Sequence, residues 1–188
     1  PLKLHGHSVF TSASIGIVLG NHKYQDSSEI LRDADIAMYR AKFDGKARHK
    51  VFNQEMYAET KELLEIENDL HQAISKNEFV LYYQPIVSLE DNTLYGFEAL
   101  LRWNHHTKGL MYPSKFIHVA EETGLIKSIG NWVMENACQQ LQLWQTKYPD
   151  AANLKVSVNV ASQQMKDPDF LASLDRILAT TNLPKNSL

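Results

Sequence analysis

Hydrophobic and polar positions follow a strand pattern in the middle of the chain. Two apolar runs, residues 79–89 and 97–103, are separated by a short polar turn at residues 90–93. This arrangement predicts a hairpin of two antiparallel strands. The second run contains Glu98 and Arg102 within an otherwise apolar stretch. A buried charge is costly unless a partner neutralises it, so we expect this strand to carry chemistry.

Helical and strand patterns then alternate towards the carboxyl end of the chain. Pro113 can open a helix that Gly124 ends, and a second helix carries an apolar stripe over residues 125–144. Residues 154–160 alternate as a strand. Pro168 opens a last helix, whose inward positions are expected to be Phe170, Leu171, Leu174, Ile177 and Leu178. Strands that alternate with helices predict an α/β fold with parallel pairing beyond the hairpin.

The amino-terminal part has a strand and a helix of its own. Residues 10–19 form a strand-like apolar run, and Asp26 with Glu29 resembles a capping box at the start of a helix. Gly45 is expected to end this helix. Its predicted apolar face comprises Ile30, Leu31, Ala34, Met38 and Ala41.

Residues 53–77 predict one further helix between these two parts. Its apolar stripe comprises Met56, Leu63, Ile66, Leu70 and Ile74, and acidic residues dominate the opposite face. We favour a helix that packs onto the flanking domains with its acidic face in solvent. The alternative is a signalling helix that pairs with a second chain, but the heptad pattern is short.

Composition narrows the classes of protein that fit. The chain has 188 residues, 44% of them hydrophobic, which is too short for a complete barrel of ~250 residues. A net charge of −3 gives no basic field for long nucleic acids. The single cysteine, Cys138, excludes an internal disulfide framework. With no stretch that could span a bilayer and no signal peptide pattern, we expect a cytoplasmic protein.

Four motifs in the second half resemble one family. LYYQPI, GFEALLRW, AEETGLI and SVNV, in this order, resemble the first half of an EAL domain, the cyclic di-GMP phosphodiesterase module of bacteria, over residues 66–188. SASIGI and LRDADIAMYRAKFDGKAR resemble the carboxyl-terminal end of a GGDEF domain, the diguanylate cyclase module, over residues 1–53. The signature GGDEF loop would lie before Pro1.

The resemblance implies a domain order and a fold. Residues 1–53 would be the carboxyl-terminal part of a GGDEF α/β domain, residues 54–76 a linker helix, and residues 77–188 the amino-terminal half of an EAL domain. The EAL resemblance implies a (β/α)8-type barrel with an atypical first strand. It also leaves open a homodimer formed through the EAL domain or through the linker helix.

Glu98 and Asn159 are the candidate metal ligands. Cleavage of a phosphodiester calls for a divalent cation, and hard cations such as Mg²⁺ or Mn²⁺ prefer carboxylate and amide oxygens. Both residues lie within or near the end of a predicted strand, and the resemblance places them at the family's metal-ligating Glu and Asn. From spacing alone, Asn159 would be a strand-end residue that bonds its own backbone.

Arg102 and Gln84 are the candidate substrate-binding residues. The guanidinium of Arg102 can bind a phosphate through two parallel hydrogen bonds, and the position resembles the family's substrate-binding Arg. Without the resemblance, we would expect an ion pair with Glu98. Gln84 matches the family's pocket-lining Gln, and a polar residue that caps a strand end is the alternative.

Lys42 and Lys46 match the basic pair that contacts nucleotide phosphates in GGDEF domains, with Lys46 in place of the usual Arg. The alternative is two solvated lysines at a helix carboxyl terminus, where cations suit the helix dipole.

His105 and His106 are adjacent and so do not share a face. We interpret both as loop residues that bind no metal.

The resemblance implies a tandem GGDEF–EAL protein that hydrolyses cyclic di-GMP to the linear dinucleotide. The alternatives are a degenerate EAL module that binds cyclic di-GMP or a protein partner, and the regulatory half of a diguanylate cyclase. Ala161 stands where the family usually has Ser, so one hydroxyl near the metal strand is lost or moved by one position. Further ligands and the catalytic base would lie beyond Leu188, so we expect this chain alone to be inactive.

Overall fold

The computed structural model describes residues 2–4, 7–9, 11–20 and 24–188, without the side chains of 2–4, 7–9 and 185. The fold is mixed α/β, as predicted. The chain divides into two compact units, Pro1–Glu65 and Ile66–Leu188.

Among its described residues, the first unit contains four short strands and two helices, the second of which continues into the other unit. Strands β1 (Leu2–Leu4) and β2 (His7–Val9) pair antiparallel, while β3 (Ile15–Ile17) and β4 (His49–Val51) pair parallel. The strand expected over residues 10–19 is therefore only three residues long, and Phe10 lies outside the described residues. Gly16 lets β3 approach the helix, because a Cβ there would overlap the backbone oxygen of Ala34.

Helix α1 (Ser27–Phe43) begins at the predicted cap. The Asp26 carboxylate accepts a hydrogen bond from the backbone N–H of Ser28 at 3.1 Å. In a capping box, the Glu29 side chain would accept a hydrogen bond from the backbone N–H of Asp26. Here it accepts instead from the backbone N–H of Gln25, at 3.3 Å. As predicted, the helix ends before Gly45, whose φ is 109°.

The buried face of α1 differs from the prediction. Asp33, Ala37 and Ala41 are buried, whereas Ile30 is 38% exposed and Leu31 is 67% exposed. The buried residues recur every four positions, which aligns them along one face of the helix. Leu31 points away from that face, so the prediction of inward-facing Leu31 was wrong.

Helix α2 (Gln54–Ala73) lies where the sequence predicted one, and it crosses the boundary between the two compact units. Ile66, Leu70 and Ala73 are buried, while Leu63 and Ile74 are half-buried. The domain limits at residues 53 and 76 stay a prediction.

The second unit is built on one sheet. Strands β5 (Phe79–Val87) and β6 (Leu94–His105) form the predicted antiparallel hairpin. Strand β7 (Gly109–Met111), which the sequence pattern did not predict, pairs antiparallel with the end of β6. Strand β8 (Lys155–Val158) pairs parallel with β6, as expected, and it begins opposite Gly96. A Cβ at Gly96 would overlap the backbone oxygen of Lys155, so glycine permits this close pairing.

Helices follow the predicted order around this sheet. Pro113 opens a 3₁₀ turn (Pro113–Lys115) rather than the helix itself, and α3 (Ile117–Thr123) ends at Gly124, whose φ is 78°. Helix α4 (Ile126–Lys147) comes next. After β8 follow α5 (Ser162–Met165), which was not predicted, and α6 (Phe170–Thr181).

The main core lies between the sheet and helices α4 and α6. Three aromatic rings, Tyr83, Phe97 and Trp144, pack together beside this core. Leu171 is 70% exposed, so its predicted inward position was wrong, because α6 turns other apolar residues towards the sheet instead. The core includes Ala99 and Val156 of the sheet, Met134, Ala137, Cys138 and Leu141 of α4, and Ile177 and Leu178 of α6.

Candidate metal and phosphate site

The candidate site lies on the face of the sheet opposite the helices. Successive side chains of a strand point to opposite faces, so Glu98 and Arg102 share one face of β6 while Ala99 and Trp103 face the core. Gln84 of β5 lies directly opposite Glu98 in the hairpin, which places it on the same face.

Asn159 joins this face from the next strand. Glu98 pairs in register with Ser157 of β8, and Asn159 follows two residues later, just past the strand end. The Nδ2 atom of Asn159 donates a hydrogen bond to Oε1 of Glu98 at 2.7 Å. The tertiary structure therefore brings together two side chains that are 61 residues apart in sequence. Spacing alone predicted that the Asn159 side chain bonds its own backbone. In the structure it bonds to Glu98 on the neighbouring strand instead.

The pair has the chemistry of a hard cation site. Glu98 is half-buried and Asn159 is exposed, so a cation can reach both side chains from solvent. Rotation of the Asn159 amide by half a turn would present its oxygen beside the Glu98 carboxylate. Carboxylate and amide oxygens are the ligands that Mg²⁺ and Mn²⁺ prefer, so these residues fit such an ion.

Arg102 is held by aromatic rings rather than by an acidic partner. Its guanidinium carbon lies 4.5 Å from the centre of the Tyr112 ring and 5.6 Å from that of Tyr82. Nη1 donates to the backbone oxygen of Leu101 at 2.7 Å. The ion pair with Glu98 that the alternative predicted is not formed, because four residues along a strand span roughly 13 Å.

One nitrogen of Arg102 lacks a partner. In the part of the chain that the structure describes, the Nε atom is buried and has no hydrogen-bond acceptor within reach. An unsatisfied buried donor costs about 1–3 kcal/mol, so an anion that reached this edge of the guanidinium would gain that energy. Sequence reasoning missed Tyr112, whose only signal was an aromatic residue next to Pro113.

A cavity of about 320 Å³ lies beside Asn159, between the sheet and helices α3 and α4. Its wall is mostly apolar and includes Leu101, Ile126 and Val160. Its polar lining side chains are Glu121, Asn159 and Gln164.

A second polar cluster forms around His105, at the end of β6. His105 is buried, and its Nε2 lies 3.1 Å from a carboxylate oxygen of Asp69. The His105 and His106 rings stack with their centres 4.6 Å apart. The prediction that His105 is a loop residue was wrong, because β6 continues to this position; His106 lies in the following turn, as expected.

The ligand atoms of Asp69, His105 and His106 are close enough to surround a metal ion, all lying within 4.8 Å of one another. The hydrogen bonds of His105 argue against that use. Its Nδ1 accepts from the backbone N–H groups of Thr107 and Lys108, so in a neutral ring the proton lies on Nε2. Nε2 then donates to Asp69, and its lone pair is not available to a metal.

Lys42 and Lys46 lie in the first unit and are both exposed. Lys42 belongs to the last turn of α1, and Lys46 follows the helix with a left-handed φ of 59°. Between them, Asp44 forms an ion pair with Lys50 at 2.6 Å. The hydrogen bond from Lys50 lowers the pKa of the Asp44 carboxyl. The structure therefore places both lysines at a helix carboxyl terminus. This position agrees both with contacts to nucleotide phosphates and with solvated lysines that suit the helix dipole.

A parallel strand pair backed by helices is the arrangement found in part of a TIM-like barrel. The EAL domain family matches residues 67–188, and the diguanylate cyclase GGDEF domain family matches residues 1–48. The chain belongs to the EAL domain family: it carries a partial EAL domain preceded by the tail of a GGDEF domain.

Curated relatives match across both parts of the chain. The bifunctional diguanylate cyclase/cyclic di-GMP phosphodiesterase MucR of Pseudomonas aeruginosa is 37% identical over 188 residues, which are 100% of this chain and 27% of MucR. The cyclic di-GMP phosphodiesterase PdeR of Escherichia coli is 35% identical over 182 residues, 97% of this chain and 27% of PdeR. The chain thus spans about a quarter of the length of these relatives.

Solved structures agree with the fold. The PaMucR phosphodiesterase in complex with c-di-GMP matches with a TM-score of 0.63 and 36% identity, over 66% of this chain and 49% of that one. The FimX EAL domain from Pseudomonas aeruginosa bound to c-di-GMP matches with a TM-score of 0.57 and 32% identity, over 67% and 48%. Among the described residues, no helix has the length and hydrophobicity to cross a membrane.

Proposed function

We propose that the protein containing this chain hydrolyses cyclic di-GMP to the linear dinucleotide, with Mg²⁺ or Mn²⁺ as its metal ion. The observation that carries the proposal is the 2.7 Å contact between Asn159 and Glu98, which puts two oxygen-bearing side chains at one point of the sheet. Support comes from the relatives MucR and PdeR, which are named for cyclic di-GMP phosphodiesterase activity, and from EAL structures that hold c-di-GMP.

Each residue of the site face has a role in this proposal. Glu98 and Asn159 would hold the divalent cation on which EAL phosphodiesterases depend. At this position a cation would neutralise phosphoryl oxygens and lower the pKa of a bound water. Arg102 binds a phosphate of the dinucleotide, and the Tyr112 ring keeps its guanidinium in place. Gln84, opposite Glu98, donates to or accepts from the substrate at the same face.

The proposal for the first unit is narrower. Lys42 and Lys46 are proposed to contact nucleotide phosphates in the GGDEF part of the whole protein. Both are exposed and follow one another across the carboxyl terminus of α1, so a phosphate can reach both ammonium groups. As point charges, they would give affinity without the bidentate geometry of an Arg.

The test uses the full-length protein with Mn²⁺ or Mg²⁺ and measures the linear dinucleotide by chromatography. We expect turnover by the unaltered protein and a loss of about 10³-fold or more in Glu98→Gln, since a metal ion contributes several kcal/mol to such a transition state. Glu90→Gln is the matched control, because Glu90 is an exposed acid in the hairpin turn of the same unit.

Two results would change the conclusion. Full activity in Glu98→Gln would place the metal elsewhere. If the unaltered protein bound cyclic di-GMP but gave no product with either metal, the domain would be a binding module without turnover.

A further inference from the structure

The loop that carries Asn159 is held at its far end by a buried side chain. Residues 159–161 connect β8 to α5, and Gln164 in α5 is only 4% exposed. The Oε1 atom of Gln164 accepts a hydrogen bond from the backbone N–H of Ala161 at 3.0 Å. In return, the backbone N–H of Gln164 donates to the oxygen of Ala161 at 3.0 Å. These two bonds fix the backbone two residues after Asn159.

Helix α4 provides the space for this side chain. Gly130 faces Gln164, and a Cβ at position 130 would overlap the Nε2 atom of Gln164. Glycine therefore lets the amide lie directly against the helix. Because Gly130, Gln164, Asn159 and Ala161 line one cavity, the support and the supported loop are parts of the same local structure.

Gln164 supplies a side-chain hydrogen bond at the start of α5, where residue 161 of this chain can supply none. Ala161 is the N-cap residue of α5, a position where a Ser side chain would accept a hydrogen bond from the backbone N–H three residues later. Ala161 has no side-chain oxygen, so only the Gln half of a capping box is present. The side-chain contribution to the start of α5 therefore comes from Gln164.

The position of Asn159 depends on this loop. Asn159 is exposed, so packing does not hold its side chain, and its direction follows from the backbone and from the bond to Glu98. On the amino-terminal side, Val158 pairs with Ala99 of β6. On the carboxyl-terminal side, the Ala161 oxygen accepts from the backbone N–H groups of Gln164 and Met165, and the Gln164 side chain provides the side-chain bond to the Ala161 N–H.

We propose that Gln164, seated against Gly130, is a positioning residue that orients Asn159 towards the cation site. This rests on the proposed function, because it takes Glu98 and Asn159 to be metal ligands. Gln164 does not touch the ion or the substrate. It acts through the Ala161 N–H, as residues that orient metal ligands do, and such residues typically contribute 10–100-fold to metal affinity.

The experiment measures Mn²⁺ affinity of the full-length protein by calorimetric titration. Gln164→Asn keeps the amide but shortens the side chain by one methylene, so it cannot reach the Ala161 N–H; we expect binding about 10-fold or more weaker. Gln164→Glu keeps an acceptor at the same reach and should stay within about threefold of the unaltered protein. Gln163→Asn, the same change at the exposed neighbouring position, is the matched control and should bind normally.

A second measurement separates positioning from stability. Turnover at saturating Mn²⁺ should stay near that of the unaltered protein in Gln164→Asn, since excess metal overcomes the misplaced ligand. The thermal midpoint of the metal-free protein checks the fold. Normal Mn²⁺ affinity in folded Gln164→Asn, or equal weakening in Gln164→Asn and Gln164→Glu, would overturn the inference. If Gln164→Asn does not fold, failure of Gln164→Glu to bind Mn²⁺ normally would overturn it as well.

The two proposals fail in different ways. If Glu98→Gln binds Mn²⁺ as tightly as the unaltered protein, the assignment of the metal site is wrong. If Glu98→Gln loses binding while Gln164→Asn retains it, the metal site stands and only the role of Gln164 is wrong.

Discussion

The two faces of the β5–β6–β8 sheet differ in what their side chains do. On the helix-covered face of β6, Ala99 is 2% exposed and Trp103 is fully buried, and aromatic or aliphatic neighbours surround them. On the other face, Glu98 and Arg102 are only half-buried and keep polar groups that can bind ligands. The difference shows that one strand can contribute stability through alternate residues and chemistry through the residues between them.

On the polar face, the proposed function assigns metal ligands and substrate contacts but no catalytic base. We predict that the isolated 188-residue chain will produce no linear dinucleotide at a rate near that of the full-length protein, even with Mn²⁺ supplied. The loss of a catalytic base alone typically costs 10²–10⁴-fold, and missing metal ligands add to this. Chromatography of both proteins at equal concentration is the measurement. Comparable rates would mean that the polar face already contains the whole catalytic centre.

The helix-covered face should respond in stability. Trp103 is fully buried and its Nε1 donates to a carboxylate oxygen of Glu78 at 2.9 Å. Trp103→Ala is expected to lower the free energy of unfolding by roughly 3–5 kcal/mol. Leu100→Ala, on the opposite face of the same strand and half-buried, is the control and should cost clearly less. Urea unfolding of both variants measures the difference, and equal losses would contradict the division between faces.

The same contrast applies to helix α2. Leu70 is 1% exposed, whereas Leu64 on the same helix is 49% exposed. Leu70→Ala should cost roughly 2–5 kcal/mol in unfolding free energy, and Leu64→Ala should cost well under half of that. Denaturant unfolding followed by circular dichroism tests this pair. A loss near zero for Leu70→Ala would show that the stripe is not part of a core.

The smallest effect concerns alkaline pH at the helix-covered face. Burial raises the pKa of the Cys138 thiol to about 11, and it raises the pKa of Tyr83 to about 12. An unfolded cysteine loses its proton near pH 8.5, so between this value and about 11 the unfolded state binds fewer protons than the folded state. The contribution of Cys138 is therefore complete below about pH 8.5 and is lost as pH rises.

Unfolding free energies at pH 8 and pH 10 give the measurement. The unaltered protein should lose about 1–2 kcal/mol more over this interval than Cys138→Ala does. Burial raises the Tyr83 pKa in both proteins, and the charge of Cys138 adds to that shift only in the unaltered protein, so both contributions of the thiol enter the difference. Identical pH dependence in the two proteins would show that the thiol is not protected from ionisation in the folded state.

Much of the architecture followed from local patterns. The hairpin, the parallel partner of β6, helix α4 and the glycine ends of α1 and α3 were predicted, because apolar periodicity and turn residues act over a few positions. The errors at Leu31 and Leu171 have a common cause, whereas the error at His105 arose because β6 continues to that position. Both leucines are apolar, as inward positions usually are. Which apolar residues of a helix become buried depends on the neighbouring elements that pack against it.

The sequence by itself determined which residues have side chains suited to the chemistry. Its apolar periodicity also determined whether each of them lies on a strand or on a helix. Only the tertiary structure decided which of them meet. Glu98 and Asn159 are 61 residues apart and touch because β8 pairs in parallel with β6 in one register. Other long-range packing brings Tyr112 to Arg102, Asp69 to His105 and Gln164 to Gly130. Such contacts depend on strand register and helix packing, which are long-range properties that no local pattern contains.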